Sequence, residues 1–297
     1  MAVLGSGTAN GGCSLLHAAG LGYGASIGLD LPLAVRLLDR PSKRELDDPD
    51  GLLPAIIDAW LAAGFKLPND LAKEELHWAV ISQVPPRQGL KSSAATSIGA
   101  LRALADATQS EVSDEEYVAM AAQAQLDSKV AITGSIDDAW ACLTPGWKLI
   151  DPQASTIAEG VLFEGDGPSR DHWLVMVVCR EERTKRPKLE DFIPHRKSFE
   201  NSLEALQEMN ELVALTWNGR GTVAVMNDIQ GRKITNDAMI NGARAAGMSG
   251  SGNAIIVVAP KVSKPSCDRL RKLFEANKDV VKVIETSFLS IEREETI

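Results

Sequence analysis

Aromatic residues are scarce in this chain, at 5% of 297 residues with only two tyrosines. Cysteine is also sparse: Cys13, Cys142, Cys179 and Cys267 stand far apart and form no C-x-x-C pair. That spacing offers neither a zinc site nor a disulfide framework, and it fits a reducing compartment. No apolar run approaches the roughly 18–20 residues of a membrane span, so no membrane partner is expected. No Lys or Arg precedes Arg36, so the opening stretch MAVLGSGTANGGCSLLHAAG lacks the basic n-region of a secretory signal, and a cytoplasmic protein is the expectation. Net charge is −9. Lys and Arg do not cluster with interleaved aromatics, which argues against a nucleic-acid partner. The densest basic run, REERTKRPK from Arg180 to Lys188, carries two glutamates and a proline and reads as a solvated loop.

What is present is globular: 44% hydrophobic and 24% charged residues. The length favours two domains. The first forty residues read as a glycine-rich turn and short helix followed by two strands, GASIGLDL and AVRLL. A helix is expected at 52 to 63 and a strand at LHWAVISQVP. From Ser92 the period changes to about 3.6, with Ala94, Ile98, Leu101 and Ala105 on one face and Ser92 or Ser93 as cap. A second helix spans Ser113 to Asp127, with Ser113 and Glu116 spaced as a capping box, and VAITGSIDDAWA reads as a loop. The turn Gly165-Asp166-Gly167-Pro168 sets the expected boundary, giving domains 1–167 and 168–297. Beyond it come a strand at 172 to 179, helices at about 198 to 228 and 235 to 245, the strand NAIIVVA, a helix, and a last strand VVKVIETSF. The order is α+β in two layers.

Chemistry concentrates in three places. The first is PPRQGLKSSAA, residues 85 to 95. A Walker A loop ending at Lys91-Ser92 would need glycines at 85 and 90, where Pro85 and Leu90 stand, so this is not a P-loop. Gly89 and the small residues from Ser92 still let an anion approach the free amides of a helix N-terminus. The competing reading is a plain N-cap with Lys91 as its solvated flank. The second place is Asp137-Asp138, adjacent carboxylates that either accept a hydroxyl proton or cap a helix. The third is the glycine-rich turn from Met248 to Asn253, either a tight connection or a wall of a site.

Residues 85–95 resemble the ATP-binding motif of the GHMP kinase superfamily. Most members spell it G-L-G-S-S, and the archaeal shikimate kinases G-L-K-S-S. Three further segments resemble that branch in the right order: GTANGGCSLLHAAGLGYGASIGLDL (7 to 31), ITGSIDDAWA (132 to 141) and GARAAGMSGSGNA (242 to 254). The resemblance implies the two-domain GHMP kinase fold, with a ribosomal protein S5 domain 2-like N-terminal domain and a ferredoxin-like C-terminal domain. It implies ATP and Mg²⁺ as cofactors, with Pro85, Pro86, Arg87, Gln88, Gly89, Leu90, Lys91, Ser92, Ser93, Ala94 and Ala95 on the ATP side. It places Asn10, Gly11, Ser249, Gly250, Ser251 and Gly252 on the substrate side. Laid on the G-I-D-N-A segment of the mevalonate kinases, S-I-D-D-A makes Asp137 the catalytic acid, with Asp138 competing. Ser93 is the implied metal ligand. Asp127 is the nearest acid to the position where the superfamily often carries a second metal ligand, a Glu.

The chain departs from the branch at Gly5-Ser6-Gly7, where many archaeal members have G-R-A, so a basic residue is missing there. The implied reaction is ATP-dependent phosphorylation of the shikimate 3-hydroxyl by a monomer or homodimer. A homoserine or mevalonate kinase is the alternative within the superfamily, and a non-catalytic ligand sensor the alternative outside catalysis. A carboxylate substrate needs a cation, for which Arg220, Arg232 and Arg244 are candidates.

Overall fold

The computed structural model describes residues 2–43, 47–131, 133–181 and 186–292. Ile132 and residues 182–185 of the basic run lie outside them.

The first strand is a surprise of position. β1 (Val3–Leu16) runs straight through the glycine-rich segment, and α1 (Ala18–Leu21) follows it. β2 (Gly24–Leu38) then carries both GASIGLDL and AVRLL as one strand. A turn was expected over GTANGG, but two of these glycines answer to packing. α3 (Ser92–Thr108) lies directly on β1. A Cβ on Gly5 would sit 2.2 Å from the Ala103 carbonyl oxygen, and one on Gly7 2.1 Å from that of Gly99. Only residues without side chains let the two backbones meet.

β2 is long enough to serve two partners on one edge. β1 pairs along its length, while β3 (His77–Ser82) and β4 (Trp147–Ile150) pair with its far and near halves, all antiparallel. β5 (Val161–Gly165) extends the sheet beyond β4. Against it pack α3 and α5 (Ile136–Leu143), and α2 (Leu52–Ala62) and α4 (Asp114–Asp127) pack on those helices. The Ser113–Glu116 capping box forms as read. Two details differ. Lys91, not a serine, is the N-cap of α3, with φ 64° and no side-chain cap bond. The segment read as a loop is helical from Ile136 on, as α5, because left-handed Gly134 (φ 77°) and Ser135 (φ 53°) turn the chain into a helical course there.

After β6 (Trp173–Cys179) the chain forms α6 (Arg196–Gln207), α7 (Glu211–Val225) and α8 (Ile229–Ile240). The single helix expected at 198 to 228 is broken where Met209 turns left-handed (φ 56°) and Asn210 accepts from the Val213 amide at 3.4 Å. The helix expected at 235 to 245 instead starts at Ile229 under an Asp228 cap and gives way to β7 (Ala245–Met248). β8 (Ile255–Pro260), α9 (Lys264–Glu275) and β9 (Lys282–Thr286) complete a sheet ordered β7-β8-β6-β9. This split β-α-β order is the ferredoxin-like one.

The boundary set at residue 167 falls between β5 and β6, the last strand of one sheet and the first of the other. The chain then crosses back: the Asp30 amide donates to the Ser287 carbonyl at 3.0 Å, and that of Leu289 to Gly28 at 2.9 Å. One hydrophobic cluster accordingly runs from Cys13 to Phe288 through both sheets. Among the described residues no helix is long and apolar enough to cross a membrane.

Candidate active site

Three chain segments far apart in sequence converge between the sheets on a cavity of about 200 Å³. The first is the loop leading into α3. Its backbone alternates through positive φ at Arg87 (57°), Gly89 (78°) and Lys91 (64°). Such alternation curls a loop so that its amides converge, and the α3 amides continue the concavity with the positive end of the helix dipole. Arg87, Gly89, Lys91, Ser92 and Ser93 line the cavity. Gln88, Leu90, Ala94 and Ala95 are buried behind it, while Pro85 and Pro86 lead into it.

The second segment is the glycine turn. Gly250, Ser251 and Gly252 line the cavity, and Ser249 is buried behind them. The two loops touch backbone to backbone. A Cβ on Gly89 would stand 2.0 Å from the Ser249 carbonyl oxygen, and one on Gly252 2.0 Å from the Gly89 nitrogen. Ser249 Oγ donates to the Gly89 carbonyl at 2.8 Å and accepts from the Ser14 amide at 3.2 Å.

The third segment opens α5. Asp137 and Asp138 occupy its first turn, where the helix dipole favours negative charge, and both line the cavity. Lys91 is not a solvated flank. Its side chain is 7% exposed, and Nζ donates to Asp138 Oδ1 and to Ser14 Oγ, each at 2.6 Å. Ser26 Oγ lies 2.8 Å from Asp137 Oδ2 and 2.9 Å from Asp138 Oδ1. Ser14 and Ser26 are opposite one another on β1 and β2, which sets all five side chains in register.

Charge divides the two carboxylates. Burial pushes Asp137 up, and the neighbouring Asp138 pushes the same way, to about 7. Burial also acts on Asp138, but the Lys91 ammonium with its hydrogen bond and that of Ser26 outweigh it and hold this carboxyl below the ordinary value. Burial works against the charged Lys91, yet the two aspartates overcome it and hold its pKa above normal. A serine hydroxyl has a single proton to donate. The cluster is satisfied when Ser26 donates to ionised Asp138 and protonated Asp137 donates to Ser26. Asp137 is then the group of the pair whose proton comes and goes near neutrality. Gly24 leaves room for it, since a Cβ there would be 2.6 Å from Asp137 Oδ1.

Several expected residues fall elsewhere. Asn10 and Gly11 belong to β1, where Asn10 pairs with Pro32 and Gly11 packs on Val84 and Leu90; the lining from this segment is Ser14, His17 and Ala18. Asp127 is off the cavity and accepts from Gln123 Nε2 at 2.9 Å. The group facing Ser93 Oγ is instead Gln125 Oε1, at 3.2 Å. Arg220 stacks over Trp217 with its guanidinium carbon 4.9 Å from the ring centre, while Arg232 and Arg244 are exposed, and none of the three lines the cavity. The arginine that reaches it from the second sheet's side is Arg186, whose Nη1 donates to the Lys129 carbonyl at 3.2 Å. Sequence reading also passed over Ser14, Ser26 and Asp50. The only local signal for the two serines is a hydroxyl buried within an otherwise apolar strand.

Among the described residues no three His, Cys, Asp or Glu side chains group as a metal cage. The donor set fits Mg²⁺ all the same, because that ion commonly binds through one or two protein oxygens together with substrate phosphates and water. Ser93, Gln125 and the aspartate pair are all oxygen donors.

Known proteins similar to this chain are small-molecule kinases. Residues 57–146 match the family described as GHMP kinases N terminal domain. Over 150 residues the chain is 29% identical to the shikimate kinase of Methanothrix thermoacetophila, and the match covers 48% of this chain and 49% of that protein. The chain spans, in that match, about half the length of the relative. Nearly the whole chain superposes on solved kinases. The L. major mevalonate kinase in complex with R-mevalonate gives a TM-score of 0.69 at 15% identity, covering 97% of each chain. The homoserine kinase of Cytophaga hutchinsonii gives 0.63 at 14%, covering 96% of each.

Proposed function

We propose that this chain, whose residues 57–146 match the GHMP kinase N-terminal domain, is a GHMP kinase that transfers the γ-phosphoryl group of ATP to the hydroxyl of a small acid, with shikimate and its 3-hydroxyl as the acceptor. One observation carries the reading: the adjacent carboxylates Asp137 and Asp138 face the curled loop 87–91 and the N-terminus of α3 across a single cavity. Phosphoryl transfer asks a protein mainly to position the reactants and to neutralise charge.

The chain's residues fit those tasks. The curled loop 87–91 and the first α3 amides bind phosphate oxygens, and Ser92 and Ser93 offer hydroxyls to them. Ser93, with Gln125 beside it, would hold Mg²⁺ on the protein, and the ion would supply positive charge to offset that of the phosphates. Asp137 takes the acceptor's hydroxyl proton as the new P–O bond forms and the bond to the ADP oxygen breaks. Lys91 keeps Asp138 ionised and places a positive charge at the centre of the site.

Shikimate is favoured over other acceptors by the G-L-K-S-S spelling and by the archaeal shikimate kinase likeness. The whole-chain superpositions on mevalonate and homoserine kinases are at 14–15% identity and speak for fold alone. A retained sensor is disfavoured by the intact Asp137, Asp138 and Lys91. An ADP-release assay with shikimate, homoserine and mevalonate in parallel should give shikimate-dependent ADP. ADP release with one of the other two and none with shikimate would replace this acceptor.

We assign the substrate carboxylate to Arg186, among the described residues the cavity arginine contributed from outside the loop 87–91. An Arg–carboxylate contact is a charge-assisted hydrogen bond of about 1.5–3 kcal/mol. Arg186→Ala should therefore raise KM for the acid acceptor by roughly 10- to 100-fold, with KM for ATP little changed. Equal rises in both constants would move Arg186 to the nucleotide.

A further inference from the structure

Arg180 was expected in a solvated loop, yet it is 8% exposed and stands behind the cavity without lining it. Its guanidinium pairs with Asp228, from Nη1 to Oδ1 at 3.3 Å and from Nη2 to Oδ2. Its Nε donates to the Asn253 carbonyl at 2.9 Å, just past the glycine turn. Its backbone is held by the phosphate loop. Gln88 Nε2 donates to the Arg180 carbonyl at 2.7 Å, and Gln88 Oε1 accepts from the Arg180 amide at 3.4 Å. The circuit closes where the Ala254 amide donates to the Gln88 carbonyl at 3.2 Å. Gln88 is 6% exposed, so both ends of its amide are committed to this work.

We infer that Arg180 is a positioning residue that clamps the phosphate loop to the glycine turn, and so sets the affinity for the phosphates of a nucleotide. The inference rests on the nucleotide reading of the cavity. The two loops meet with no room for a single Cβ at Gly89 or Gly252, so their backbones are in direct contact and depend on what holds them together. Arg180 supplies that hold from a rigid place, because β6 ends at Cys179 and Asp228 is itself fixed as the α8 cap through the Gly231 amide at 2.8 Å. A planar guanidinium can serve the Asn253 carbonyl and the Asp228 carboxylate together. A lysine ammonium has no such fork.

The test must separate positioning from stability, since a buried charge without its partner weakens any fold. Arg180→Met combined with Asp228→Asn removes both charges, keeps an α8 cap because Asn caps as well as Asp, and should melt close to the parent. Arg180→Lys keeps the charge and loses the fork. In ligand-free full-length protein, amide hydrogen exchange across residues 88–91 should be faster in both variants than in the parent. Mg·ADP titrated by calorimetry should bind each about tenfold or more weakly, the loss expected when a hydrogen bond to a charged group goes. Loosened exchange in a protein whose parent form binds no Mg·ADP would leave the clamp standing and remove the nucleotide reading. A double variant with parental exchange and parental Mg·ADP affinity would overturn the clamp.

Discussion

Asp137→Asn is expected to leave a folded protein that still binds Mg·ADP and to lower kcat by about 10²–10⁴, the usual worth of a positioned acid–base group. The substitution keeps the shape of the side chain and removes its ability to take a proton. The parent should show the matching pH profile. With Asp137 held near 7, its base form is lost as pH falls, so kcat/KM should decline below about pH 7 with unit slope. Stability carries the opposite sign. An acid whose folded pKa lies above its unfolded value binds more protons in the native state between the two, so its contribution to stability falls as pH rises from about 4 to about 7. Asp137→Asn removes this burden and should raise Tm relative to the parent at pH 8, with the gain shrinking toward pH 4. A variant with near-parental kcat would strip Asp137 of its role and leave Asp138 as the candidate.

Lys91→Met is expected to be the most damaging single change to both stability and turnover. It retains the length of the side chain and leaves Asp138 buried without its counter-ion, a loss of about 3–5 kcal/mol for a buried pair broken on one side. In the parent, the depressed pKa of Asp138 contributes stability that is present above the unfolded value near 3.8 and is lost as pH falls through the folded one. Without Lys91, burial acts unopposed and raises both aspartates, so the variant recovers stability as pH falls from neutrality. The Tm gap between parent and variant should therefore be wide at pH 8 and narrower at pH 5. Adding Asp138→Asn should recover much of the Tm and none of the turnover, because the buried charge is gone while the site's ionic centre is still missing. Equal Tm values at pH 8 would show that Lys91 is not the counter-ion of the pair.

Both predictions depend on contacts of different legibility. The loop 85–95 could be read because its parts are contiguous: a strand end, Gly89, then small residues opening a helix. Asp137 and Asp138 could be read as a pair because they are adjacent and sit in a recognisable segment. Their inequality could not, since it arises from Lys91, distant in sequence, whose ammonium bonds Asp138. The glycines of the first segment misled for a related reason. Glycine marks a turn when φ is positive and a close approach when another backbone lies on top, and α3 on β1 is a contact between distant parts of the chain. Asp127 misled because being the nearest acid in sequence is no guide to which side of a helix meets Ser93; Gln125, two residues earlier, is the residue whose Oε1 accepts from Ser93 Oγ. Arg180 misled most, for a run of charges ordinarily marks a solvated loop, and only the carboxylate of Asp228 and the carbonyl of Asn253 make its burial tolerable.

The amino-acid order alone was enough for the α+β class, most helices and strands, and the loop 85–95 and adjacent carboxylates as parts of one site, because these depend on spacing within a few turns of chain. Which carboxylate holds the proton, which arginine reaches the cavity and what joins the two glycine loops were decided only by the tertiary structure. Burial and partnership set proton affinity and the tolerance of a buried charge, and both come from residues that the fold, not the sequence, makes neighbours.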